Sequence, residues 1–162
     1  MRIAIAALAL AACGGSTPTP QPPTGPAIEQ AWPALDGGIL ELASLRGQIV
    51  VIHAFATWSL AAQLETEALG AADARPDVVV VGLALDPEGY VLVSPWRKGS
   101  DVAYLIALAD DATRVGTSAL GRIREVPTTF VLDRAGRVAV RIDHQLSPAD
   151  LDAAIARAAR ER

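Results

Sequence analysis

With 162 residues the chain is long enough for one well-filled core and short for two, and 14 basic residues against 18 acidic ones exclude a nucleic-acid binder built on a basic stripe. A single cysteine excludes a disulfide framework within the chain and any Cys-x-x-Cys redox pair. There are no repeats and no blocks of like charge, and the 51% hydrophobic fraction owes much to alanine and to the first dozen residues.

The N-terminus carries Arg2 and then an unbroken apolar stretch from Ile3 to Ala12, too short to cross a bilayer and suited to the apolar region of a secretory signal. Leu10-Ala11-Ala12-Cys13 resembles the lipobox of bacterial lipoproteins, which implies cleavage before Cys13 and a lipid on that residue. A plain secretory signal followed by an ordinary thiol is the other reading, and it would leave an exposed thiol in an oxidising compartment. Loss of the signal leaves thirteen basic residues against eighteen acidic ones. Gly14 to Pro26 has no apolar periodicity and too many prolines for a helix or a central strand, so it reads as a tether, at roughly 3 Å per extended residue. Pro-rich segments of this kind also dock on partner domains. The expected organisation is a lipoprotein signal over 1–12, a lipidated Cys13 with its tether over 13–27, and one folded domain over 28–162.

Within that domain Leu35-Asp36-Gly37-Gly38-Ile39-Leu40-Glu41-Leu42 predicts two short strands about a glycine turn, and Arg46-Gly47-Gln48 a second turn. Ile49 to Phe55 is a continuous apolar run of strand length, as a central strand buried on both faces requires. It runs through His53-Ala54-Phe55-Ala56-Thr57-Trp58 into a helix expected over Ser59 to Ala74, with Leu60, Leu64 and Ala68 spaced to share a face. Val78 to Leu85 is a second buried strand, and two apolar strands joined by a helix make a right-handed parallel βαβ unit. Tyr90 to Gly99 predicts a helix broken by Pro95. A short strand over Val102 to Leu108 and a short helix over Ala112 to Leu120, started by Asp110-Asp111, follow. Thr128 to Leu132 and Val138 to Ile142 flank Asp133-Arg134-Ala135-Gly136 as a β-hairpin. Ser147 and Pro148 then open an amphipathic closing helix on which Leu151, Ile155 and Ala158 share a face.

Three separate segments carry a family resemblance: the Asp36-Gly37 hairpin followed by Leu42-Ala43-Ser44-Leu45-Arg46-Gly47, the strand ending Phe55-Ala56-Thr57-Trp58, and Val126-Pro127-Thr128-Thr129-Phe130-Val131-Leu132-Asp133. From roughly Ala31 to Ala158 the chain resembles the TlpA-like, redoxin-related branch of the thioredoxin superfamily, membrane-tethered and periplasm-facing thiol–disulfide oxidoreductases. The resemblance implies an α/β thioredoxin-like fold, a central mixed β-sheet flanked by helices with an N-terminal β-hairpin extension. It also implies a cis Pro127 facing the start of the helix at Ser59.

The family's nucleophilic cysteine falls on Ser59 and its resolving cysteine on Ala62, so neither role survives: a serine hydroxyl stays protonated at neutral pH, and exchange needs a thiolate and a second sulfur. Val126 and Pro127 match the edge where substrates lie extended against the backbone. Trp58 matches the aromatic before the motif, as a groove wall or as a packing residue at a strand end. Glu65 falls on an acidic position that tunes the cysteine pair in several relatives; its plain reading here is a solvated helix residue. His53 stands where thioredoxins often carry a buried acid, and reads as a core histidine; with Glu65 it makes a candidate buried polar pair. A Ser59–His53–Glu65 triad is not preferred, because there is no nucleophile elbow. His53 and His144 without a thiol make no metal-ligand set, and peroxidase chemistry lacks its cysteine in the domain, so no metal and no cofactor is expected.

The expected protein is thus a redox-inactive binding module with no catalytic residue of its own. Its expected partner is an extended segment of an envelope protein or peptide, with a membrane contacted through Cys13 and no nucleic acid. Gly14 in place of an acidic retention residue points to the outer membrane. The competing reading is a TlpA-like oxidoreductase that works only through a partner's thiols.

Overall fold

The computed structural model describes residues 25–161; the signal, Cys13 and most of the tether lie outside the described residues. Seven strands and five helices follow one another: β1 (Ala31–Pro33), β2 (Ile39–Glu41), β3 (Ile49–Phe55), α1 (Leu60–Leu64), α2 (Thr66–Asp73), β4 (Val78–Ala84), α3 (Tyr90–Gly99), β5 (Leu105–Leu108), α4 (Asp111–Val115), β6 (Thr128–Leu132), β7 (Val138–Ile142) and α5 (Pro148–Arg160). A 3₁₀ turn over Leu42–Leu45 links β2 to β3.

Five strands form one sheet in the order β5-β4-β3-β6-β7, with β1 and β2 a separate antiparallel pair. β4 runs parallel to β3 and β5 to β4, whereas β6 is antiparallel to β3 and β7 to β6. All seven residues of β3 are buried, as its unbroken apolar run requires for a strand covered on both faces. Its side chains alternate: Ile49, Val51 and Phe55 join a core with Ala62, Leu69, Val93, Leu151 and Ile155, while Val50 and Ile52 join one with Trp32, Leu42, Leu83 and Phe130. His53 shares the parity of the first set and so faces the helices.

Several boundaries differ from the sequence reading, each for a local reason. The N-terminal hairpin forms, but its first strand is Ala31–Pro33, and Leu35-Asp36-Gly37-Gly38 belongs to the connection. Trp32 decides this, fully buried with its Nε1–H donated to Thr113 Oγ1 at 3.0 Å. The expected single helix from Ser59 to Ala74 is two, α1 and α2, divided at Glu65. Its buried stripe is Ala62, Glu65, Leu69 and Ala72, not the Leu60–Leu64–Ala68 face, and Leu60 and Leu64 are exposed. α3 is unbroken, although Pro95 lies inside it. The donor that Pro95 lacks would have reached the carbonyl of Val91, and both residues are exposed, so water can take that acceptor. α4 ends at Val115 rather than Leu120, because Gly116 turns left-handed at φ 82° and a Cβ there would meet Arg122 Cα at 2.9 Å. β6, β7 and α5 stand where the sequence places them, and Ser147 caps α5 in a capping box with Asp150.

Candidate functional site

The loops that follow β3 and β4 meet at one end of the sheet, held by a clamp the sequence reading did not identify. Asp86, buried after β4, accepts the Thr57 N–H at 3.0 Å and the Thr57 Oγ1–H at 2.6 Å. This fixes the residue before Trp58, whose own side chain is 76% exposed. Ser59 caps α1, its Oγ accepting the Ala62 N–H at 3.4 Å while its N–H donates to Ala56 C=O at 3.0 Å. Ser59 and Ala62 are both buried, so the two motif positions are brought together at the helix start as packing and capping residues. Ser59 Oγ makes no hydrogen bond to His53 among the described residues, so nothing there activates it as a nucleophile.

Beneath the helix break lies a polar cluster. His53 Nδ1 is 3.1 Å from Thr129 Oγ1 and 3.5 Å from Glu65 Oε2. Glu65 Oε1 accepts the Leu146 N–H at 2.7 Å, tying the helix break to the segment that leads into α5. His53 Nε2 and Glu65 Oε2 have no hydrogen-bond partner among the described residues. Glu65 is therefore not a solvated helix residue: it is 2% exposed and its carboxyl points inward. Burial pushes it up to about 7, against the opposing pull of the Leu146 amide and of His144. Burial pushes His53 down to about 4. Between those values both groups are neutral, so their close approach is not an ion pair.

The Val126–Pro127 peptide bond is cis. Thr128 pairs with Ala54 at the last position of the antiparallel β3–β6 ladder, so Val126 and Pro127 lead directly into that ladder. Pro127 is buried and Val126 half-buried, and the main chain of Val126 makes no hydrogen bond among the described residues. Leu60 and Leu64, 68% and 66% exposed, extend the apolar surface from Trp58 along α1. No group of three or more candidate metal ligands occurs among the described residues.

The spacing Ser59-x-x-Ala62 and the Val126-Pro127 pair were legible signals. Asp86, Thr129 and Leu146 were not, because their roles arise across 29, 76 and 81 residues of chain. Glu65 had one usable signal, its helical spacing three after Ala62 and four before Leu69, but a charged residue in an alanine-rich segment hides such a stripe.

No protein-family model matches the sequence, and no curated protein matches it either. Solved structures do. A thiol:disulfide interchange protein of the thioredoxin family from Chlorobium tepidum aligns at 28% identity over 82% of this chain and 94% of that one, with a TM-score of 0.69. A DsbF homologue from Corynebacterium diphtheriae aligns at 23% identity over 81% and 85%, with a TM-score of 0.71. A secreted Mycobacterium tuberculosis disulfide oxidoreductase, described as homologous to Escherichia coli DsbE, aligns at 17% identity over 79% and 95%, with a TM-score of 0.64. The fold is the thioredoxin-like α/β arrangement, a central mixed five-stranded sheet flanked by helices with an N-terminal hairpin.

Proposed function

We propose that this domain of the thioredoxin superfamily is a redox-inactive binding module of the bacterial envelope, which holds an extended polypeptide segment against the edge at Val126–Pro127. One observation carries the reading. The segment that presents thiols in an interchange protein here carries exposed apolar side chains, Trp58 with Leu60 and Leu64, and the main chain of Val126, at the cis Pro127, makes no hydrogen bond among the described residues. An extended segment would add its backbone to Val126 N–H and C=O while Trp58 covers its side chains, the strand-addition mode of recognition. Ser59 and Ala62 contribute shape and a helix cap, not electrons. The second reading, favoured by the interchange proteins among the structural neighbours, is an oxidoreductase by ancestry that acts only through a partner's thiols.

A photo-crosslinking residue at Leu60 in living cells tests this, since Ser59 itself is buried. Capture of a discrete partner is expected, in an adduct that resists reductant. Trp58→Ala should cut capture by more than tenfold, as truncation of a central aromatic anchor does. A crosslinker at exposed Arg134, at the other end of β3, should not capture that partner. Capture that ignores Trp58→Ala, or a partner that is itself a Cys-x-x-Cys protein held by a reducible bond, would favour the second reading.

The anchor belongs to the same proposal, with the outer membrane as the site suggested by Gly14. Cys13→Ser should abolish lipid labelling and release the protein from the membrane fraction. Unchanged fractionation of that variant would remove the lipoprotein reading.

A further inference from the structure

The run that delivers the chain to the proposed edge, Arg122-Ile123-Arg124-Glu125, carries two guanidinium groups that the fold does not use. Arg75, Arg97, Arg114, Arg134, Arg137 and Arg141 each pair with a carboxylate. The Arg122 and Arg124 side chains are exposed and meet no carboxylate or carbonyl among the described residues. With Glu125, Arg141 and Asp143 they line an open cavity of about 350 Å³. Arg141 is the scaffold of that cavity rather than a free cation. Its Nε donates to both carboxylate oxygens of Asp143 at 2.8 and 2.9 Å, its Nη2 to Arg122 C=O at 2.9 Å, and its guanidinium lies 5.0 Å from the Phe130 ring centre. Thr128 Oγ1 donates to Glu125 C=O at 2.7 Å and approaches Asp143 Oδ1 at 3.3 Å, so the wall of the cavity is bonded to the residue that follows Pro127.

Glu125 offsets one of the two unmatched charges and leaves the rim cationic, on a chain that is acidic as a whole. Two guanidinium forks beside an unpaired backbone edge fit a carboxylate, which they can grip in bidentate geometry. We infer that the segment held at the Val126 edge is acidic: an Asp or Glu side chain of the partner reaches Arg122 and Arg124 while an apolar residue of the same strand lies on Trp58. Alternate residues of an extended segment share a face, so an apolar–acidic alternation meets both surfaces at once. This inference rests on the polypeptide-binding reading above and specifies its partner.

The test uses the full chain in detergent at low salt and three fluorescein-labelled peptides of equal length. In each, leucine alternates with a second residue, which is glutamate, glutamine or lysine. The glutamate peptide should bind about tenfold more tightly than the glutamine peptide, and the lysine peptide more weakly than either. Raising the salt should compress that order. Arg122→Gln with Arg124→Gln should erase the preference, the glutamate peptide losing about tenfold and the glutamine peptide much less. Its melt should match the parent, because neither side chain is bonded in the fold. Trp58→Ala should weaken all three peptides alike. Equal affinity for glutamate and glutamine peptides, or a preference that survives the double variant, overturns the acidic partner. If binding still needs Trp58 in that case, the groove stands without its charge selectivity. If none of the peptides binds, or binding ignores Trp58, both readings fall together.

Discussion

Ser59→Cys combined with Ala62→Cys is expected to confer dithiol-driven insulin reduction on a protein whose own reduction should not exceed the uncatalysed rate. The parent has no sulfur at either position, and its one cysteine, Cys13, precedes the domain by a Pro-rich tether. The two residues already sit where the chemistry would need them, with Ser59 capping α1 and Ala62 one turn inside it. A sulfur in place of Ser59 Oγ would lie at the same helix start, where the N-terminal amides favour thiolate over thiol and draw the cysteine down from about 8.5. The buried Ala62 has less room, and a sulfur there carries a packing cost of about 1–3 kcal/mol. Melts of the double variant should therefore fall below those of the parent while its activity rises from zero. Ser59→Cys alone supplies a control, because a nucleophile without a resolving thiol should accumulate mixed disulfides with substrate instead of turning over. Insulin reduction by the unmodified protein above the uncatalysed rate would end the redox-inactive reading. A double variant that folds and stays inert would mean that this pole no longer presents its thiols to substrate.

Glu65→Gln is expected to change the stability of the domain by about 3 kcal/mol in a pH-dependent way, although the parent should hardly respond over the same range. Glu65 is raised from 4.5 to about 7, so between those values the folded chain keeps a proton that the unfolded chain has released. Its contribution falls as pH rises through that window. His53 is lowered from 6.5 to about 4, so the folded chain lacks a proton that the unfolded chain binds, and its contribution falls as pH drops through that window. The two slopes oppose each other between about 4.5 and 6.5 and cancel in the parent. Glutamine keeps the acceptor for the Leu146 N–H but cannot ionise, so the variant is left with the His53 slope alone. It should match the parent near pH 4 and exceed it above pH 7, with the gap opening steadily between. Other carboxylates titrate alike in both proteins and drop out of the difference. Denaturant midpoints at pH 5 and pH 8 read the effect directly. An equal gap at both values would show that Glu65 is not held in its neutral form by burial.

The cluster also bears on what this pole can still do. A buried carboxyl near 7 beside a neutral histidine resembles proton-transfer equipment, but neither orphaned atom reaches Ser59 through a hydrogen bond, and no thiol is left for the carboxyl to serve. The Leu146 amide gives Glu65 a structural task instead, joining the α1–α2 break to the start of α5.

The elements legible in the sequence were those with strong local signals. β3 announced itself by seven consecutive residues that suit a strand buried on both faces, β6 and β7 by a Gly-ended turn between two β-rich runs, and α5 by Ser147 and Pro148. The loss of thiol chemistry at Ser59 and Ala62 was equally legible, since it depends on which atoms are present and not on where they point. What the sequence left open was decided by contacts between distant segments. Helical spacing alone allows several stripes in an alanine-rich helix, and only packing against the sheet turned Ala62, Glu65, Leu69 and Ala72 inward and left Leu60 and Leu64 in solvent. Trp32 drew the hairpin upstream because its indole found Thr113, 81 residues away. Thr129 closed on His53 because the β3–β6 register set them side by side, while Asp86 reached back to Thr57 and Leu146 met Glu65 where connecting segments fold over the sheet. Residue types and their local spacing determined the chemistry that is absent; the tertiary structure alone decided which side chains are buried as neutral partners and that Arg122 and Arg124 meet no carboxylate among the described residues.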